Sequence, residues 1–226
     1  MPPGGRRCRG TGRDEGRAAG QGAAEPSGIR RAARVPRPGA RGPAVTGRDL
    51  DPPPYDPAPL VVTLEADPAS QARFEAARRR WFPPERNLVP AHVTLFHQLP
   101  GEEAHAVALR LAEVARDTAP LGFRVASVMA LGRGAALRLD LPGGDALRRR
   151  IGAGFALAAQ DRGRLHAHVT VQNKASPEAR ATALEALRAG FAPWDGSCAA
   201  LRLWRYRGGP WEEAGRFAFA GAPGGA

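Results

Sequence analysis

Two stretches of this 226-residue chain carry the same chemistry: His92-Val93-Thr94-Leu95 and His168-Val169-Thr170-Val171. Each is a His-x-Thr-x pattern with apolar x, and the two lie 76 residues apart. In a strand, successive side chains point to opposite faces, so His92 and Thr94 share one face while Val93 and Leu95 share the other. The second copy repeats the arrangement. The apolar residues anchor each strand in a core, and a polar pair buried alone would be costly. The imidazole and hydroxyl therefore belong on an open face. Two such strands set side by side about a pseudo-twofold axis line one cleft with two imidazoles and two hydroxyls.

That constellation suits displacement at phosphorus. A neutral imidazole, with an ordinary pKa of about 6.5, takes a proton from an attacking oxygen while a protonated one gives a proton to the departing oxygen. Threonine hydroxyls hydrogen-bond the non-bridging oxygens as negative charge accumulates on them. No metal and no cofactor are required. His166 and His168 stand at i and i+2 on one face, a metal-ligand geometry, but no third ligand completes it. Adjacent Glu212 and Glu213 diverge on a strand and are assigned no chemistry.

The elements that position the motifs can be read from the pattern. Leu60 to Leu64 is a β-branched apolar run and a strand. Asp67-Pro68 supplies an N-cap and a first-turn proline, with Phe74, Ala77 and Trp81 on one helical face, and Pro83-Pro84 stops that helix. The first motif then lies on a strand from Ala91 to Phe96. Ala104, Val107, Ala108, Leu111, Val114 and Ala115 recur at helical spacing. Phe123 to Met129 and Ala135 to Leu141 make a hairpin around Gly132-Arg133-Gly134. Leu147, Ile151, Phe155 and Ala158 mark a third helix, with Arg148-Arg149-Arg150 a solvated run beside it. His166 to Gln172 is the second motif strand. Ser176-Pro177 caps a last helix with Leu184 and Leu187 inward, and Ala200 to Tyr206 and Arg216 to Phe219 are final strands. Strands and helices interleave without strict βαβ regularity, which is α+β.

Composition bounds the rest. The net charge is +11, and residues 1–50 carry 11 of the 33 basic residues against 4 acids, so the excess is concentrated at the front. From Met1 to Pro59 there are 11 Gly and 11 Pro with almost no large apolar side chains, so residues 1–59 are expected to be a disordered Arg/Gly/Pro-rich arm. Arg6-Arg7 lacks the apolar region an export signal needs. Residues 60–220 form the expected folded domain, and 221–226 a flexible tail. Two cysteines, Cys8 and Cys198, make no disulfide framework. No apolar run reaches the roughly 18 residues of a membrane span. A cytoplasmic monomer with no membrane partner is expected.

The two His-x-Thr motifs, their spacing, and the Pro83-Pro84-Glu85-Arg86-Asn87-Leu88 segment leading into the first make the chain resemble the 2H phosphoesterases, specifically the bacterial 2′-5′ RNA ligase / RNA 2′,3′-cyclic phosphodiesterase branch. The resemblance covers roughly residues 60–220. It implies an α+β, bilobal, pseudo-twofold fold with a central cleft between two β-sheets. It maps the family's catalytic histidines onto His92 and His168 and its phosphate-binding hydroxyls onto Thr94 and Thr170. It also implies hydrolysis of 2′,3′-cyclic phosphates to 2′-phosphates, with reversible 2′-5′ joining in some members. RNA ends or nucleotides bearing a 2′,3′-cyclic phosphate or a 2′-5′ linkage are then the expected partners.

Further candidate contacts flank the motifs. Phe96 shares the face of His92 and Thr94, where it could stack on a base or pack in the core, and Gln172 stands in the same relation to His168. His166 is a cleft neighbour or an exposed side chain, whereas His97 points away from His92. Trp204 and Tyr206 alternate with Arg205 and Arg207, so Tyr206 could belong to a nucleotide platform with a basic rim. The alternative to an enzyme is a module that binds an RNA end or nucleotide in the same cleft without turnover, with the arm adding electrostatic attraction.

Overall fold

The computed structural model describes residues 56–222. Of the expected arm (1–59) and tail (221–226), residues 1–55 and 223–226 lie outside the described ones, while Gly221 donates its backbone N–H to the Thr118 carbonyl at 3.0 Å. Residues 56–59 pack on the body: the Pro59 carbonyl accepts from the Tyr206 N–H at 2.9 Å, and Asp56 pairs with Arg205 at 3.1 Å and Arg207 at 2.7 Å.

The chain builds the same sequence of elements twice. The first half is β1 (Leu60–Ala66), α1 (Pro68–Trp81), β2 (Val93–Leu99), α2 (Ala104–Arg116) and β3 (Leu121–Leu131). The second is β4 (Gly134–Asp140), α3 (Gly144–Gly152), β5 (His168–Gln172), α4 (Pro177–Ala189) and β6 (Trp194–Arg205), and an extra strand, β7 (Glu212–Ala218), follows. Every pairing is antiparallel, and the strand order is β2-β1-β6-β3-β4-β5 with β7 beside β6. The order reads the same from either end if the halves are exchanged, which is the expected pseudo-twofold α+β arrangement. Each half gives its last strand to the other.

The two expected sheets are the halves of one seven-stranded sheet. The reason is the length of β6: Cys198 to Arg205 pair with β1, while Trp194 to Cys198 pair with β3. β2 and β5 end the strand order and approach each other to within 8 Å between Cα atoms, with no ladder between them.

Local chemistry explains the boundaries. Asp67 caps α1 by accepting the Ser70 N–H at 2.9 Å and clamps β6 by accepting the Ser197 N–H at 2.8 Å. Ser176 caps α4 through the Ala179 N–H. Gly132, at φ +49°, supplies the left-handed first residue of the tight β3–β4 turn. Leu60, Val62, Leu64, Val93, Leu95, Val169 and Val171 are all buried in one continuous core, and Thr63 is accommodated there because its hydroxyl accepts from the Trp204 indole at 2.9 Å.

Several expectations are corrected. Helix α3 ends at Gly152, and Gly154 at φ +89° turns the chain away, so Phe155 and Ala158 lie beyond it. Arg148 is not solvated: it is buried, donating to the Asp161 and Gly163 carbonyls. β6 starts at Trp194 and β7 at Glu212, ahead of the apolar runs that marked them, because antiparallel pairing carries the polar ends along. Among the described residues no helix is long and apolar enough to cross a membrane.

Candidate active site

The two motifs stand at the edge strands that face each other, His168 opening β5 and His92 immediately preceding β2, and they are built alike. Val93, Leu95, Val169 and Val171 are buried, whereas His92, Thr94, His168 and Thr170 are partly exposed. The Nδ1 atom of His92 lies 2.6 Å from the Pro90 carbonyl, and that of His168 lies 2.6 Å from the His166 carbonyl. In both cases the acceptor belongs to the residue two positions earlier. A carbonyl can only accept, so each Nδ1 carries the proton and each Nε2 is left to exchange protons with a ligand. Neither Nε2, nor the hydroxyl of Thr94 or Thr170, has a hydrogen-bond partner among the described residues.

A β-bulge follows each threonine. Thr63 pairs with Thr94 and Val62 with Phe96, which leaves Leu95 as the extra residue. Ala136 pairs with Thr170 and Ala135 with Gln172, which leaves Val171 extra in the same place. Gly134 permits the second bulge, since a Cβ there would run into the Gln172 carbonyl. An extra residue breaks the two-residue alternation. Phe96 is therefore turned into the core, 1% exposed and packed against Gly152, and it is not a cleft contact. Gln172 is buried as well, donating to the Ala179 carbonyl at 3.3 Å, so it too is withdrawn from the sugar or phosphate contact expected of it. The residues that follow, His97 and Asn173, are exposed instead. His97, expected to point away, is close enough to lower the pKa of His92.

The other candidates separate. The His166 side chain is exposed, and its contribution at the site is the backbone carbonyl that orients His168. Tyr206 is 46% exposed at the end of β6. The basic rim beside it is already used, because Arg205 pairs with Asp56, and Arg207 with Asp56 and Glu212.

Three residues outside the motifs complete the site. Trp211, in the connection from β6 to β7, lies over His92 with ring centroids 4.8 Å apart and 43° between planes. Asp161 is buried and accepts the backbone N–H groups of His97 and Gln98 at 2.9 and 3.0 Å and approaches the His97 ring nitrogen at 2.9 Å. Arg78, on α1, is 4% exposed. Burial holds the His92 imidazole down to about 4; the bond to the Pro90 carbonyl works the other way, and the charges of Arg78, His168 and His97 push further down. A signal for Arg78 is present in its position four residues after Phe74, on the inward stripe of α1. Nothing in the local pattern marks Trp211.

Helix α1 also aims the first motif. Glu75 accepts the Ala91 N–H at 2.6 Å while Gln71 donates to the Ala91 carbonyl at 2.8 Å. The residue before His92 is thus held at both of its backbone groups. Such an arrangement can protonate, deprotonate and hydrogen-bond one anionic centre placed between the strands.

Comparison with known proteins gives the family. The sequence profile of the 2′-5′ RNA ligase superfamily matches residues 66–210. Among solved structures, TT0787 of Thermus thermophilus is similar with a TM-score of 0.53 at 17% identity, over 73% of this chain and 100% of that one. Escherichia coli LigT complexed with 3′-AMP gives 0.48 at 15% identity, over 73% of this chain and 99% of that one. No curated protein sequence matches the chain. The likeness to TT0787 is one of fold, and the profile spans well over half of the sequence including both motifs, so the chain belongs to the 2′-5′ RNA ligase superfamily.

Proposed function

We propose that this protein is a metal-independent phosphodiesterase that opens 2′,3′-cyclic phosphates at RNA or nucleotide ends to 2′-phosphates, with 2′-5′ joining as the same opening carried out by a 5′ hydroxyl in place of water. The observation that carries the reading is the matched pair of imidazoles. His168 opens β5 and His92 immediately precedes β2 on the facing edge, both have Nδ1 tied to the carbonyl two residues back, and both leave Nε2 unpartnered among the described residues.

In hydrolysis, water adds to phosphorus as the bond to the ribose 3′ oxygen breaks. One imidazole takes the water proton on Nε2, and the other, protonated, delivers its Nε2 proton to the departing 3′ oxygen. Thr94 and Thr170 donate to the non-bridging oxygens, where charge accumulates. The two rings exchange protonation states over the cycle, and a return proton transfer through solvent resets them.

The test is incubation of the purified protein, in excess chelator, with a panel of 2′,3′-cyclic and 2′-5′-linked substrates, identifying products by mass and phosphate position. Formation of 2′-phosphates that is lost in folded His92→Ala and His168→Ala proteins is the expected result. Activity that vanishes with chelator and returns with zinc would defeat the mechanism. Tight nucleotide binding with no turnover would make the cleft a recognition module.

A further inference from the structure

We propose that Arg78 is a positioning residue that sets the gap between the two catalytic strands and holds a fixed positive charge behind the phosphate site. The inference rests on the reading of the cleft given above and adds a residue outside both motifs. β2 and β5 face each other with no ladder between them, so no direct sheet hydrogen bond sets the separation of the two imidazoles.

Arg78 reaches both sides of that seam. Its Nε and one terminal nitrogen donate to the Asn87 side-chain oxygen at 3.0 and 2.7 Å, and the same terminal nitrogen donates to the Val89 carbonyl at 3.0 Å. Both acceptors lie in the segment that leads into His92. The other terminal nitrogen donates to the backbone carbonyl of Thr170 at 3.1 Å. One rigid guanidinium therefore joins the approach to the first motif to the threonine of the second. The Phe82 ring, 4.2 Å away, closes over it.

The fork geometry matters here. Three acceptors from two separate segments lie around one planar group, which a lysine ammonium on a flexible stem does not reproduce. Its charge is also unspent. All three acceptors are neutral oxygens, and no carboxylate among the described residues lies within 4 Å. Glu75, the acid that acts on it at longer range, is engaged by Ala91 and Gln71. A buried cation without a paired carboxylate favours an anion nearby. The exposed neighbours Arg79 and Arg80 have no such role, since they point to solvent.

The test compares Arg78→Lys, which keeps the charge and loses the fork, with Arg78→Met, which loses both, and uses Arg79→Met as a surface control. Thermal melting establishes folding, inorganic phosphate is the binding probe, NMR follows the His92 ring through its titration, and kcat and KM are measured on a 2′,3′-cyclic nucleotide. Arg78→Lys is expected to lower kcat by about 10- to 100-fold with its His92 titration unmoved, as misplaced catalytic groups do. Arg78→Met is expected to lower kcat at least as much, weaken phosphate about tenfold, and move the His92 titration upward.

If Arg78→Met does not fold, Asn87→Ala takes its place beside Arg78→Lys. It removes one acceptor and leaves the charge, and a kcat loss without a change in the His92 titration is the expected result. Folded variants with kcat and phosphate affinity within about threefold of the parent would overturn the proposal, since a 1 Å misplacement alone costs far more. The phosphate arm keeps the two readings apart. A parent protein that binds phosphate but opens no cyclic substrate defeats the activity, while the change of affinity in Arg78→Met still decides the role of Arg78. A parent that binds no phosphate defeats both.

Discussion

The halves of this molecule share a plan and differ in what surrounds it. Each runs strand, helix, motif strand, helix, strand, and each motif has the same bulge one residue after threonine and the same Nδ1 tie to a backbone carbonyl. The surroundings are unequal. His92 lies under Trp211, which comes from the connection to β7, the one strand outside the repeat. No ring stacks on His168 among the described residues. On the first side α1 sends Gln71, Glu75 and Arg78 to the motif, whereas from the second half Asp161 and Arg148 reach the far end of β2, at His97 and over the Phe96 ring. Repetition supplies two interchangeable imidazoles. The unrepeated parts make them different, and acid–base catalysis needs them different.

Removing the imidazoles tests the shared plan and has the largest effect. His92→Ala and His168→Ala are each expected to lower kcat/KM by about 10³-fold or more, the scale of a positioned acid or base, with melting temperatures unaffected or raised. A histidine whose loss costs less than about tenfold would mean the halves are not functional equivalents, as steady-state rates on a cyclic nucleotide would reveal.

The bulge positions come next. Phe96→Ala should cost about 3–5 kcal/mol by denaturant titration, because it empties a filled core site. Acid stability then separates the two sides. His92 has a folded pKa of about 4 against an ordinary 6.5, so the unfolded chain binds its proton more readily. The fold suffers no loss from this group above pH 6.5 and is progressively destabilised as pH falls towards 4, by up to ~3 kcal/mol. Unfolding free energies measured across that window should show the loss, and His92→Gln should flatten it. Trp211→Ala, which uncovers the ring, should reduce it. A window equally steep in Trp211→Ala would deny the roof any part in the inequality.

The smallest effect is expected at Gln172, the counterpart of Phe96. Its Oε1 is buried with no partner among the described residues, so Gln172→Leu should shift stability by less than about 1 kcal/mol in either direction. A large loss there would show that the second bulge depends on a polar residue.

The legible parts of this fold are those where one residue type has one local meaning. Asp67-Pro68 and Ser176-Pro177 announce helix starts, the α2 stripe announces its buried face, and the doubled His-x-Thr announces the site. Arginines are harder, because the same side chain serves a solvated face or a buried fork. In the run Arg78-Arg79-Arg80 the first is buried and the others are exposed, and only its alignment with Phe74 distinguishes it. The run at Arg148 repeats the problem. A bulge is invisible to a two-residue alternation, which is why that alternation assigns Phe96 to the face that His97 occupies one residue on. Trp211 meets His92 through tertiary folding, across more than a hundred residues, and no local pattern encodes that encounter.

Two of the sheet's edges, β2 and β5, end in backbone groups that a foreign strand could pair with, the usual route to self-association of β proteins. Here each edge looks onto the other across the cleft, and some of those groups are already taken: the Thr170 carbonyl by Arg78, and the His97 and Gln98 amides by Asp161. The opening that admits substrate is therefore also a pair of guarded edges. Any change that spread them to accept a bulkier ligand would at the same time offer the solvent a sticky seam, so solubility sets a limit on how wide this cleft can become.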